Sequence, residues 1–128
     1  MRTEIFHRVE IEGLDFTAST GTQVIATAKG KVTRSGWDFG YGNVIEVLHA
    51  EGFSTRYAHL SKRIALVGDV IERGSVLGEV GSTGRSTGPH LHFEVLVQGV
   101  QQDPHKFLSG PKNTAALAQL AVATPQPA

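Results

Sequence analysis

The stretch "GSTGRSTGPHLHFEV", Gly81 to Val95, places two histidines one residue apart. On a strand, side chains at i and i+2 share a face, so His90 and His92 project one way while Leu91 and Phe93 project the other. Two adjacent imidazoles can serve as metal ligand, general acid or base, or stabiliser of a charged transition state, all near neutral pH. By itself such a pair is more often two surface histidines on an edge strand. A third histidine, His59, closes the strand-like run "STRYAHL". Asp15 sits between Leu14 and Phe16, where a carboxylate is either a turn residue or, if buried, in need of a cation. The chain has no cysteine, so any metal must be held by imidazole and carboxylate.

The elements that must position these residues read as strands. "QVIATA", "GKVTRSGW", "NVIEVLHA", "STRYAHL", "DVIERGSVLGEVG" and "HLHFEVLVQG" are short, rich in β-branched and aromatic residues, and separated by many of the 15 glycines. No segment between Gly13 and Gly99 carries a helical period. The expectation is an all-β fold: a compact antiparallel sheet with a groove and hairpins of the β-sandwich or barrel-sandwich kind. The loop bearing Gly81, Gly84 and Gly88 lacks the lysine of a phosphate-binding loop and feeds a strand instead of a helix, which assigns it to turn geometry and the walls of the groove. "GTQVIATAKGKV" and "GDVIERGSVLGEV" echo one another, each a strand, a turn and a second strand. Small lipoyl and biotinyl carriers are written this way, with Lys29 as the residue such a carrier would modify at a hairpin tip.

At 128 residues and 40% apolar composition the chain is expected to form one domain over residues 1–110, followed by an Ala/Pro-rich tail over 111–128. Twelve basic residues balance twelve acidic ones, which argues against a nucleic-acid or anionic-membrane surface. No apolar run approaches the roughly 20 residues that span a bilayer, nor does the N-terminus resemble a signal peptide. A protein working outside the cytoplasm would need an export or anchoring segment that this sequence does not contain.

Taken together, "EGLDFTASTGTQVIATAKGKV", "GWDFGYGNVIEVLHAEGFSTRYAHLSK", "VGDVIERGSVLGEVGSTGRSTGPHLHFEV" and "DPHKFL" resemble the LytM/lysostaphin-type zinc metallopeptidases of bacterial peptidoglycan, collinearly from about Glu12 to Leu108. The resemblance implies a groove floored by an antiparallel sheet and a tetrahedral Zn2+ held by two histidines and an aspartate. Asp15 matches the aspartate ligand, His92 the second histidine ligand, and His59 and His90 the two catalytic histidines. A metal with three protein ligands retains a position for water and lowers that water's pKa from about 15.7 towards 7. The implied partners are peptidoglycan peptides, and the implied location is the cell envelope, periplasmic or extracellular.

One position departs from the pattern. The family's first ligand is a histidine four residues before the aspartate, and Ile11 stands there. Relatives often read "FHEGLDF" where this chain reads "FHRVEIEGLDF", so that His7 becomes the candidate displaced ligand. Eight residues of straight strand would span about 26 Å, and the chain would have to fold back to deliver it. The alternation from Val9 to Glu12 instead suggests a strand, with Glu10 and Glu12 on the face opposite Ile11. Two readings follow: a zinc endopeptidase cleaving peptide cross-links, or a non-catalytic scaffold whose groove binds cell-wall peptide or a partner such as a cell-wall hydrolase or divisome-type protein. His49 and His105 carry no special weight, Tyr57 and Phe93 read as core, and Trp37, Phe39 and Tyr41 read either as groove lining or, as is commoner in a glycine-rich hairpin, as packing.

Overall fold

The computed structural model describes residues 13–102, so His7, Ile11, His105 and the tail lie outside the described residues. Among the described residues nine strands run in chain order: β1 (Gly13–Thr17), β2 (Gln23–Ile25), β3 (Gly30–Asp38), β4 (Gly42–Leu48), β5 (Phe53–Arg63), β6 (Val70–Ile71), β7 (Val76–Val80), β8 (His90–Val97) and β9 (Val100–Gln102). One 3-10 turn, Ala50–Gly52, joins β4 to β5. The fold is all-β, as the sequence pattern predicts, and the pairings are antiparallel. Among the described residues no helix is long and apolar enough to cross a membrane.

The sheet follows the order β1-β8-β5-β4-β3-β6, with β9 beside β8. β5 is the hinge: its first part pairs with β8 and its last part with β7. The two echoing segments pair crosswise, β2 with β7 and β3 with β6. Lys29 therefore does not cap a hairpin between paired strands, since β2 and β3 each pair elsewhere. The turn a lipoyl-type carrier requires is not formed there.

Alternation sorts the side chains by face. Leu91, Phe93 and Val95 of β8, with Tyr57 of β5 and Ile45 and Val47 of β4, enter the core and are at most 1% exposed. Leu14 and Phe16 pack on the same core from β1. The other face of those strands carries the polar residues described next.

Candidate metallopeptidase site

Register assembles the site. Asp15 of β1 lies directly opposite His92 of β8, and Thr17 opposite His90. His92 in turn faces Ala58 of β5, whose small side chain leaves room for the imidazole. Asp15 is not buried among its apolar neighbours: its side chain is 61% exposed because Leu14 and Phe16 point into the core while it points into the groove.

His59 does not close its strand. It lies inside β5 at a bulge, where two residues of β5, Ala58 and His59, sit between partners that flank a single residue of β4. Its φ of 63° is left-handed, and its N–H donates to Tyr41 O at 2.7 Å. This is also the point where β5 changes partner from β8 to β7. A bulge re-aims a side chain, and here it swings the ring to 4.9 Å from His90 and 5.9 Å from His92, centroid to centroid.

The hydrogen-bond partners fix which ring nitrogen is free. His59 Nδ1 meets Thr83 O at 2.7 Å and His90 Nδ1 meets Gly88 O at 2.8 Å. A carbonyl only accepts, so both Nδ1 atoms carry a proton, and in a neutral ring the lone pair is then on Nε2. His90 Nε2 lies 3.4 Å from Asp15 Oδ1. Burial holds the His59 pKa below its ordinary value, which keeps that ring neutral.

His92 is built differently. Its Nδ1 contacts Asp15 Oδ1 at 2.7 Å and its Nε2 contacts Glu94 Oε2 at 2.8 Å. Burial pulls its pKa down, but the hydrogen bonds and negative charge of Asp15 and Glu94 outweigh this and raise it to about 9. The bond from His92 holds Asp15 below the usual carboxylate range against partial burial. Burial would raise Glu94, yet His92 and Arg56 bring it down.

Glu94 is 2% exposed and anchors a row of alternating charge across the sheet. Arg34 of β3 bonds Glu46 of β4 at 3.0 Å, Arg56 of β5 bonds Glu46 at 2.6 Å and Glu94 at 2.7 Å, and Glu94 bonds His92. Tyr41 OH donates to both Glu94 oxygens at 3.0 Å and accepts from Arg56 Nη1 at 2.8 Å. Burial and the Glu94 charge push the tyrosine up to about 12. Sequence pattern does not single out Arg56 or Glu94, and it leaves Tyr41 between groove lining and hairpin packing; Tyr41 lines a recess with His59 and His92. The signal for Glu94 is its i+2 spacing from His92, which makes it the third polar residue on one strand face.

Together Asp15, Thr17, His59, His90 and His92, with the loop from Arg85 to Pro89, line an open groove of about 690 Å³. Among the described residues no group of three imidazole and carboxylate side chains is placed to hold a metal ion. Two donors nevertheless suit zinc. Asp15 Oδ1 and His92 Nδ1 converge at 2.7 Å, and tetrahedral ligands on zinc stand about 3.3 Å apart, so a small opening admits the ion. Glu94 on the far nitrogen stands where metal-ligating histidines regularly have an outer carboxylate. His49 is structural, bridging Lys29 O at 2.7 Å and Thr55 Oγ1 at 2.8 Å.

What separates this groove from a decorated strand edge is the division of labour among its imidazoles. One is held between two carboxylates, while the other two have Nδ1 tied to a backbone carbonyl and line the same groove. Imidazole and carboxylate groups gathered in one groove are what a metallopeptidase needs. Comparison with known sequences agrees, and the chain belongs to Peptidase family M23, whose sequence model matches residues 9–104. It is 49% identical over 92 residues to the DD-carboxypeptidase/endopeptidase Mpg of Neisseria meningitidis, covering 72% of this chain and 21% of that protein. The peptidoglycan DD-endopeptidase ShyC of Vibrio cholerae is 38% identical over 92 residues, with the same two coverages, 72% and 21%. The chain thus spans about a fifth of the length of these relatives. Among solved structures, a zinc-containing peptidase from Vibrio cholerae superposes with a TM-score of 0.70 at 40% identity, over 73% of this chain and 29% of that one.

Proposed function

We propose that this chain is a zinc metalloendopeptidase domain of the cell envelope, periplasmic or extracellular, hydrolysing peptide cross-links of peptidoglycan. The observation that carries the reading is the contrast between His92, enclosed by Asp15 and Glu94, and His59 and His90, each with Nδ1 tied to a backbone carbonyl. Asp15 Oδ1 and His92 Nδ1 supply two ligands, and His7 is the candidate third. When bound, zinc supplies Lewis-acid stabilisation and a water activated near neutral pH. His59 Nε2 and His90 Nε2 accept the proton of the attacking water and return one to the departing amine, as the carbonyl carbon gains oxygen and the C–N bond breaks. The Nδ1 bonds to Thr83 and Gly88 hold both rings in the tautomer this needs.

Ile11, standing where the family pattern places a histidine, favours a second reading: the same groove retained as a non-catalytic binder of cell-wall peptide or of another hydrolase. Zinc content after dialysis and release of amines from purified peptidoglycan separate the two. For an enzyme, zinc is stoichiometric, His7→Ala abolishes it, and His59→Ala or His90→Ala lowers turnover by about 10² to 10⁴ with zinc retained. Zinc-free, inactive protein that gains metal and hydrolysis on Ile11→His establishes the scaffold.

A further inference from the structure

Beside the groove, the tip of the β3–β4 hairpin leaves Trp37 60% and Phe39 81% exposed. Burial would hide both in a hairpin that merely packed, and two adjacent exposed aromatics on a fixed support mark a contact surface. The support is fixed. Asp38 Oδ1 accepts the N–H groups of Gly40 and Tyr41, and Arg85 N–H donates to Gly40 O at 2.9 Å. Asn43 N–H donates to Thr83 Oγ1 at 3.2 Å, tying the hairpin to the loop before β8 a second time.

Arg85 stands where three recesses meet. It lines the groove with His59, His90 and His92, the hollow of about 330 Å³ under Trp37 and Phe39, and a third recess against Tyr41. Its guanidinium lies 5.9 Å from the centre of the Phe39 ring. Arg34 and Arg56 are both neutralised by carboxylates, whereas among the described residues Arg85 pairs with none. A planar cation left unpaired over an aromatic face, at the mouth of the groove proposed above to take peptide, matches a carboxylate carried by that peptide.

We infer that Arg85, with Phe39 and Trp37, forms a subsite that binds a free carboxylate of the substrate peptide next to the scissile bond, an inference that rests on the reading of the groove as a peptide-binding site. The guanidinium takes the carboxylate in a forked pair, and the two aromatic faces take the apolar part of the same strand. Amidated cell-wall peptides are then the poorer ligands.

The test is calorimetric binding of a peptidoglycan stem peptide with its carboxylates free, and of the same peptide amidated. Wild type, Arg85→Gln and Phe39→Ala are compared, with hydrolysis measured in parallel. The expected result is roughly tenfold tighter binding of the free acid by wild type, near-equal binding of acid and amide by Arg85→Gln, and a several-fold loss for both peptides in Phe39→Ala. An unchanged preference for the acid in Arg85→Gln overturns the subsite, whatever the hydrolysis shows. A preference that disappears in Arg85→Gln establishes it even if no hydrolysis occurs, in which case the enzymatic reading alone falls.

Discussion

His92 and Glu94, two residues apart on one strand, are joined by a 2.8 Å bond from Nε2 to Oε2 that turns the other ring nitrogen towards Asp15. The bond sets the ring's orientation and raises the basicity of Nδ1, the atom that would meet a metal. Glu94→Gln keeps the shape but removes the charge. Zinc affinity, measured by competition with a chelator, is expected to fall by about 10- to 100-fold. An unchanged affinity assigns Glu94 to structure alone.

The charged row predicts a gradient of stability. Arg56 is 14% and Glu94 2% exposed, so Arg56→Ala leaves a buried carboxylate with one counter-charge fewer and is expected to cost about 3–5 kcal/mol in urea denaturation. Arg34, 36% exposed at the outer end, is expected to cost no more than about 1 kcal/mol on the same substitution. Equal costs at both positions would exclude burial as the cause.

The groove wall depends on two glycines. Gly42 and Gly84 have φ of 68° and 72°, and a Cβ on Gly84 would stand 2.3 Å from Gly42 N. Gly84→Ala is therefore expected to destabilise by at least about 1–3 kcal/mol. Gly88 in the same loop has nothing within 4 Å of its Cβ position, and Gly88→Ala should stay within about 0.5 kcal/mol. Thermal denaturation of the two variants checks the contrast.

Stability should fall at both ends of the pH scale in chelator-treated protein. Asp38, held down chiefly by the backbone N–H groups of Tyr41 and Gly40, and Glu94 both have folded pKa values below the unfolded ones. Their contributions are complete above the ordinary carboxylate range, about 4, and are lost as pH falls through the depressed values. His92 is raised from 6.5 to about 9, so its contribution is complete below 6.5 and lost as pH rises through about 9. Urea midpoints across this range check it, and His92→Asn should remove the alkaline limb. Zinc must displace the Nδ1 proton, so its affinity is expected to rise with pH up to the same value.

Much of this molecule is legible in its sequence because strand alternation is local. "HLHFEV" alone dictates that His90 and His92 share a face and that Leu91 and Phe93 enter the core, and the glycine-punctuated β-branched runs dictate an all-β chain. Four things were decided only by tertiary structure. The Asp15–His92 pairing is a matter of register between strands 77 residues apart, which no local pattern contains. The aim of His59 comes from a bulge created by the partner change of β5, so the sequence reading ended that strand too early. The roles of Arg56, Glu94 and Tyr41 arise because the charges neutralise one another across neighbouring strands, while the exposure of Trp37 and Phe39 follows from the lock between two loops. Periodicity chooses the face a side chain takes, but pairing between distant strands chooses its neighbours, and the chemistry of this groove belongs to the neighbours.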